Sequence, residues 1–122
     1  MNRCLIVDDS HVIRKVARAI LEGLRFEVAE AESGEEALKH CDARMPDLII
    51  LDWHMPGMCT IEFLTALRTR LSGRRPRILY LTTELDIAGI SRAITSGADD
   101  YLMKPFNRQM VEAKLTEVHS AA

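Results

Sequence analysis

The feature that most narrows what this chain can fold into is a set of short apolar runs that break off at polar residues. Residues 4–7 run into Asp8 and Asp9, residues 48–51 into Asp52, and residues 78–81 into Thr82 and Thr83. Continuous apolar runs of this length read as strands buried on both faces, as in a parallel sheet. Two weaker strands are read at 27–30 and at Asp100–Met103.

Helical patterns lie between these runs. Val12, Ile13, Val16, Ala17, Ile20, Leu21 and Leu24 form one stripe, with Ser10 as its N-cap and Gly23 placed to end it. Ser33 and Glu36 read as a capping box for a helix through Ala37, Leu38 and Cys41. A third helix carries Ile61, Phe63, Leu64, Leu67 and Leu71. A fourth lies near 86–96 and stops at Gly97, and a fifth starts near Asn107 and carries Met110, Val111, Leu115 and Val118. Strand and helix alternate five times, which predicts an α/β fold with a parallel sheet covered on both faces. Right-handed crossovers reduce the choices to a few doubly wound arrangements. The fifth helix nearly exhausts the chain, so one domain over 1–122 with no effector domain is expected.

At 122 residues the chain can bury a core without staples. Its 48% apolar and 28% charged residues argue against disorder. A net charge of −2 gives no electrostatic reason for a nucleic-acid or membrane partner. The local basic stretch Arg68, Arg70, Arg74, Arg75 and Arg77 reads as a solvated face. The run at 4–7 stops too soon for a secretory leader, and no apolar stretch approaches membrane length. The three cysteines, Cys4, Cys41 and Cys59, form no Cys-x-x-Cys pair; a buried free thiol at Cys4 and a reducing, cytoplasmic setting fit them. His11, His40 and His119 read as surface or helix residues.

Ligands of open α/β sheets bind beyond the carboxyl ends of the strands. Asp8, Asp9, Asp52, Thr82 and the segment Met103, Lys104, Pro105 all belong to that rim. Two carboxylates 4 Å apart repel by ~4 kcal/mol at an effective dielectric near 20. Three together raise one another's pKa unless cations are present. Lys104 supplies one positive charge, and a divalent metal would supply more. All-oxygen donors favour Mg²⁺, or Mn²⁺ in its place, over Zn²⁺. Taken singly, Asp8 and Asp9 also fit a turn that caps the first helix, and Thr82 or Thr83 a helix cap.

The set Asp8 and Asp9; Asp52 followed by Met55, Pro56 and Gly57; Thr82; Gly97, Ala98, Asp99, Asp100 and Tyr101; and Lys104, Pro105 and Phe106 resembles the receiver domains of two-component response regulators over nearly the whole chain. The resemblance implies a flavodoxin-like, CheY-like (βα)5 fold with strand order 2-1-3-4-5. It implies that Asp52 takes a phosphoryl group from a phosphohistidine of a histidine kinase or a histidine phosphotransfer protein. Asp8, Asp9, Asp52 and the backbone carbonyl of His54 would hold Mg²⁺. Lys104 and Thr82 would bind phosphoryl oxygens, and Thr82 with Tyr101 would form the switch acting on the face of the fourth helix, fifth strand and fifth helix. Lys104–Pro105 would be cis. His54 and Glu84 would tune loss of the phosphoryl group, with His54 shielding the path of water and lengthening the phosphorylated lifetime. An unidentified downstream protein would read the switch, the chain acting as a monomer or as a phosphorylation-dependent dimer.

The chain departs from the family pattern in one loop. Many receivers read Met-Pro-x-Met-Asp-Gly there, but Cys59 and Thr60 stand in place of the last two residues. Thr60 is then a candidate cap for the third helix. Thr83 stands where alanine is common. Two other readings compete with a protein-binding switch: a phosphate shuttle or sink in a phosphorelay, and a metal-dependent phosphohydrolase with an aspartyl-phosphate intermediate. The latter would want a second aspartate where this chain has His54, so no multiple-turnover enzyme is expected. A flavodoxin-type cofactor binder would need a phosphate loop after the first strand, which the sequence lacks.

Overall fold

A computed structural model describes residues 2–54, 57–70, 75–83 and 87–121, the side chains of 117–121 excepted. Strand and helix alternate as β1 (Arg3–Val7), α1 (His11–Gly23), β2 (Glu27–Ala31), α2 (Gly34–Ala43), β3 (Leu48–Asp52), α3 (Thr60–Arg68), β4 (Arg77–Thr82), α4 (Ile87–Ser96), β5 (Asp100–Met103) and α5 (Arg108–Ala121). All strand pairs are parallel and the order is β2-β1-β3-β4-β5. This is the flavodoxin-like fold expected from the sequence.

The three apolar runs are the three inner strands, and their side chains alternate between two cores. Leu5, Val7, Ile49, Leu51, Ile78 and Tyr80 face α2, α3 and α4, meeting Leu38, Phe63, Leu67 and Ile90. Cys4, Ile6, Leu48, Ile50, Leu79 and Leu81 face α1 and α5, meeting Ala17, Leu21 and Val111. Each such aliphatic side chain contributes about 1.5–3 kcal/mol when fully buried. β2 and β5 are the edges and bury less, which is why their sequence signal is weaker.

The helices hold three departures from expectation. Ser10 and Ser33 cap as read, accepting from Ile13 and Glu36 amides at 3.2 Å each. Gly23 is the last helical residue of α1, as read, but it does not supply the left-handed turn. The left-handed residue is Arg25, at φ 70°. The Arg25 amide donates to Glu22 O (3.0 Å) and the Phe26 amide to Leu21 O (2.9 Å), a Schellman closure without glycine. Phe26 packs in the same core as Leu21, which holds the turn.

Second, Val12 and Val16 lie outside the buried stripe of α1, 68% and 44% exposed, whereas Arg14 is 7% exposed. The inward stripe is Ile13, Ala17, Ile20, Leu21 and Leu24. Third, Thr60 does not cap α3: Cys59 is the N-cap, its amide donating to Glu62 Oε1 at 3.4 Å, and Thr60 is the first helical residue. Asn107 Oδ1 accepts from the Met110 amide at the start of α5 (2.9 Å). Leu71 on the third helix, Asp86 at the start of the fourth, and Arg74 of the basic stretch lie outside the described residues. The side chains of Val118 and His119 do too. A cap by Thr83 turns on residues 84–86, also outside them.

Candidate functional site

The strand order reverses between β1 and β3; an acid directly follows the first and ends the second. A crevice opens beyond the carboxyl ends of strands at such a point. Asp8 follows β1 and is fully buried; Asp52 ends β3 and is 2% exposed; Asp9 is exposed. One carboxylate oxygen from each of the three lies within 4.8 Å of the others.

Lys104 joins the two buried acids. Its Nζ donates to Asp52 Oδ1 at 2.8 Å and lies 2.9 Å from Asp8 Oδ2. The backbone sets this position: the Lys104 amide donates to Thr82 O (2.8 Å), carrying the β4–β5 ladder one step past Met103. The Lys104–Pro105 peptide is cis. Thr82, buried at the end of β4, therefore borders the lysine.

The backbone at both acids is also held. Asp8 Oδ1 accepts from the Ser10 amide (2.8 Å), and Asp8 O accepts from Arg14 Nη1 (2.7 Å). Arg14 Nε donates to Glu30 Oε1 (2.9 Å), and Arg18 Nε to Glu30 Oε2 (2.6 Å). Asp52 O accepts from Thr60 Oγ1 (2.8 Å), and the Trp53 amide donates to Leu81 O (2.8 Å).

Burial pushes the Asp52 carboxyl above its ordinary range; the charge of Asp8 adds to this, while Lys104 and the His54 amide oppose it. Burial pulls the Lys104 ammonium down, but its pairing with the Asp52 and Asp8 carboxylates outweighs this and holds it above its usual value. One ammonium against three carboxylates leaves the cluster negative. Asp8 Oδ2 is buried and, although within ion-pair distance of Lys104, accepts no well-directed hydrogen bond. A small divalent cation fits these observations: all-oxygen donors, excess negative charge, and an under-satisfied carboxylate oxygen.

The remaining site residues fall nearby or apart. Tyr101, on β5, is half-buried with Lys114 Nζ 4.6 Å from its ring centroid; Lys114 also lies 3.3 Å from Asp100. His54 is exposed, its ring 5.3 Å from that of Trp53. Met55, Pro56 and Glu84 lie outside the described residues. In the basic stretch, Arg75 Nη2 donates to Gly97 O (2.6 Å), Arg68 Nη2 to Ser96 O, and Arg70 Nε to Asp42 Oδ1 (2.8 Å). These arginines pin neighbouring helices as well as facing solvent. Arg68 and Arg75 line a cavity of about 600 Å³ between α3 and α4, at the opposite end of the strands from the acids.

Two residues of the site escaped the sequence reading, Arg14 and Thr60. Arg14 carried a signal: it shares a helical face with Ala17 and Leu21, where a charge needs a partner. Thr60 carried none beyond a misplaced capping role, because its acceptor lies eight residues back on another element.

The model of the response regulator receiver domain matches residues 4–116. The chemotaxis protein CheY of Pseudomonas aeruginosa is 32% identical over 117 residues, covering 95% of this chain and 94% of its own length. The phosphate regulon transcriptional regulatory protein PhoB of Rhizobium meliloti is 36% identical over 110 residues. That match covers 90% of this chain but 48% of PhoB, so the chain spans about half the length of this relative. The structure of the chemotaxis response regulator CheY4 of Vibrio cholerae superposes with a TM-score of 0.89 at 36% identity, covering 97% of this chain and 98% of that one.

Proposed function

This chain belongs to the response regulator receiver domain family of two-component signalling, and from that premise we propose that it is a switch thrown by phosphorylation of Asp52. The observation that carries the reading is the Lys104 ammonium set between the two buried acids at the reversal of the sheet, 2.8 Å from Asp52 and 2.9 Å from Asp8.

In the proposed step a carboxylate oxygen of Asp52 attacks the phosphorus of a phosphohistidine. The oxygen–phosphorus bond forms as the phosphorus–nitrogen bond breaks, and the imidazole leaves with that electron pair. A histidine kinase or histidine phosphotransfer protein supplies the phosphoryl group. Lys104 shifts from carboxylates to phosphoryl oxygens and offsets their charge, the usual source of assistance in such transfers. Asp8, Asp9, Asp52 and the His54 carbonyl would hold Mg²⁺, which screens the entering phosphoryl charge when bound. Thr82 donates its hydroxyl to the attached group.

Loss of the group is the reverse in kind. Water attacks phosphorus, the bond to Asp52 breaks, and inorganic phosphate leaves as the carboxylate returns. In this reading His54 and Glu84 tune the lifetime. Inward movement of Thr82 favours a buried Tyr101 and shifts the population of the α4–β5–α5 face, which a downstream protein reads. We place the chain in the cytoplasm as a single receiver module, monomeric or pairing on phosphorylation, with no nucleic acid or membrane contact of its own. Among the described residues no helix is long and apolar enough to cross a membrane.

Beryllofluoride with Mg²⁺ mimics an aspartyl phosphate. Added to the isotope-labelled protein it should move the resonances of Thr82, Tyr101 and α4, and Asp52→Asn should abolish the response. An unresponsive wild-type protein would overturn the switch reading.

A further inference from the structure

We propose that Thr60 is a positioning residue for the phosphoryl transfer, holding Asp52 through its main chain; this rests on the reading of Asp52 as phosphoryl acceptor. Thr60 is 5% exposed and its Oγ1 donates to the carbonyl oxygen of Asp52 itself (2.8 Å), with the Trp53 carbonyl at 3.3 Å. A threonine at the start of a helix ordinarily turns its hydroxyl to its own helix as a cap. Here Cys59 is the N-cap residue, its amide donating to Glu62 Oε1, and the Thr60 hydroxyl one residue on reaches back to β3 instead.

Asp8 repeats the arrangement. Its carboxylate also points to Lys104, and its carbonyl is also held by a side chain from the first turn of the next helix, Arg14 Nη1 at 2.7 Å. The two acids bridged by Lys104 are therefore each fixed at both ends, carboxylate and carbonyl. A residue whose carbonyl is tethered cannot rotate its peptide plane freely, so its Cβ and carboxylate keep one direction. Transfer in line depends on that direction, since an ångström of misplacement costs on the order of a hundredfold in rate. The Thr60 hydroxyl bonds main-chain carbonyls and not the Asp52 carboxylate, so it acts through the backbone of Asp52.

The test compares full-length Thr60→Val, which keeps the shape without the hydroxyl, and Thr60→Ser, which keeps the hydroxyl. Phosphorylation by acetyl phosphate is timed at saturating Mg²⁺, read from Trp53, the one tryptophan of the chain, and expressed per folded molecule from parallel melts. Thr60→Val should be slower by a factor on the order of ten, below the cost of a full ångström, and Thr60→Ser should return to the wild-type rate. If Thr60→Val fails to fold, Thr60→Ala is compared with Thr60→Ser in its place. A wild-type rate per folded molecule without the hydroxyl overturns the proposal, as does a Thr60→Ser rate as slow as the Val or Ala variant. Asp52→Asn separates this from its premise: if wild type takes up no more phosphate than Asp52→Asn, the acceptor reading itself fails.

Discussion

Lys104 and Asp52 meet at 2.8 Å although 52 residues separate them in the chain. The side chains involved are nearly out of water, 12% exposed for Lys104, 3% for Asp52 and 0% for Asp8. Removing one partner from a buried ionic cluster leaves uncompensated charge and costs about 3–5 kcal/mol. Lys104→Met should therefore lower stability by about 3 kcal/mol in the absence of divalent cations. Mg²⁺ should restore part of it, because a ligand that binds only the folded state stabilises that state. Urea titrations of both proteins, with Mg²⁺ and with chelator, measure this; equal stability in chelator would contradict it.

Glu30 gives a pH dependence away from the acid cluster. Its bond to Arg18 holds its carboxyl below the ordinary range; burial opposes this, and Arg14 assists Arg18. A carboxyl depressed in the folded state stabilises that state above its unfolded pKa, near 4.3. The contribution is lost as pH falls from there through the folded value. Glu30→Gln should be less stable than wild type at pH 7, and the gap should close progressively as acid takes the pH below about 4. Thermal melts across that range check the sign.

Arg25 occupies the left-handed region at the end of α1, at φ 70°. A side chain there crowds the following carbonyl at a cost of roughly 1–2 kcal/mol, which glycine avoids at some cost in chain entropy. Arg25→Gly should raise stability by about 0.5–1 kcal/mol. Gly23→Ala should be tolerated, since Gly23 is the last helical residue, without a left-handed backbone, and an added Cβ would meet its nearest neighbour, Arg108, at 3.6 Å. A destabilising Arg25→Gly in chemical denaturation would show that the arginine makes contacts worth more than its strain.

The inner strands were legible because burial on both faces forces a run of apolar residues, and Asp8, Asp52 and Thr82 because each run ends there. β2 and β5 were fainter for the same reason, being edges. Gly23 marked the end of α1 correctly, but glycine does not guarantee the left-handed residue; that is Arg25, where the Phe26 amide closes onto Leu21 O. Val12 and Val16 misled because a helical stripe drawn from hydrophobicity is wider than the strip that reaches the sheet. Arg14 and Thr60 act on carbonyls, and a carbonyl acceptor has no letter in a sequence. Their roles appear only when the strands and helices are set side by side.

The most direct test is the site of covalent phosphorylation. The protein is incubated with acetyl phosphate and Mg²⁺, reduced with borohydride, which converts an aspartyl phosphate to homoserine, and mapped by peptide mass spectrometry. Conversion is expected at Asp52, dependent on Mg²⁺ and absent from Asp52→Asn. An unmodified Asp52 in the presence of Mg²⁺, or conversion at Asp8 or Asp9 instead, would contradict this.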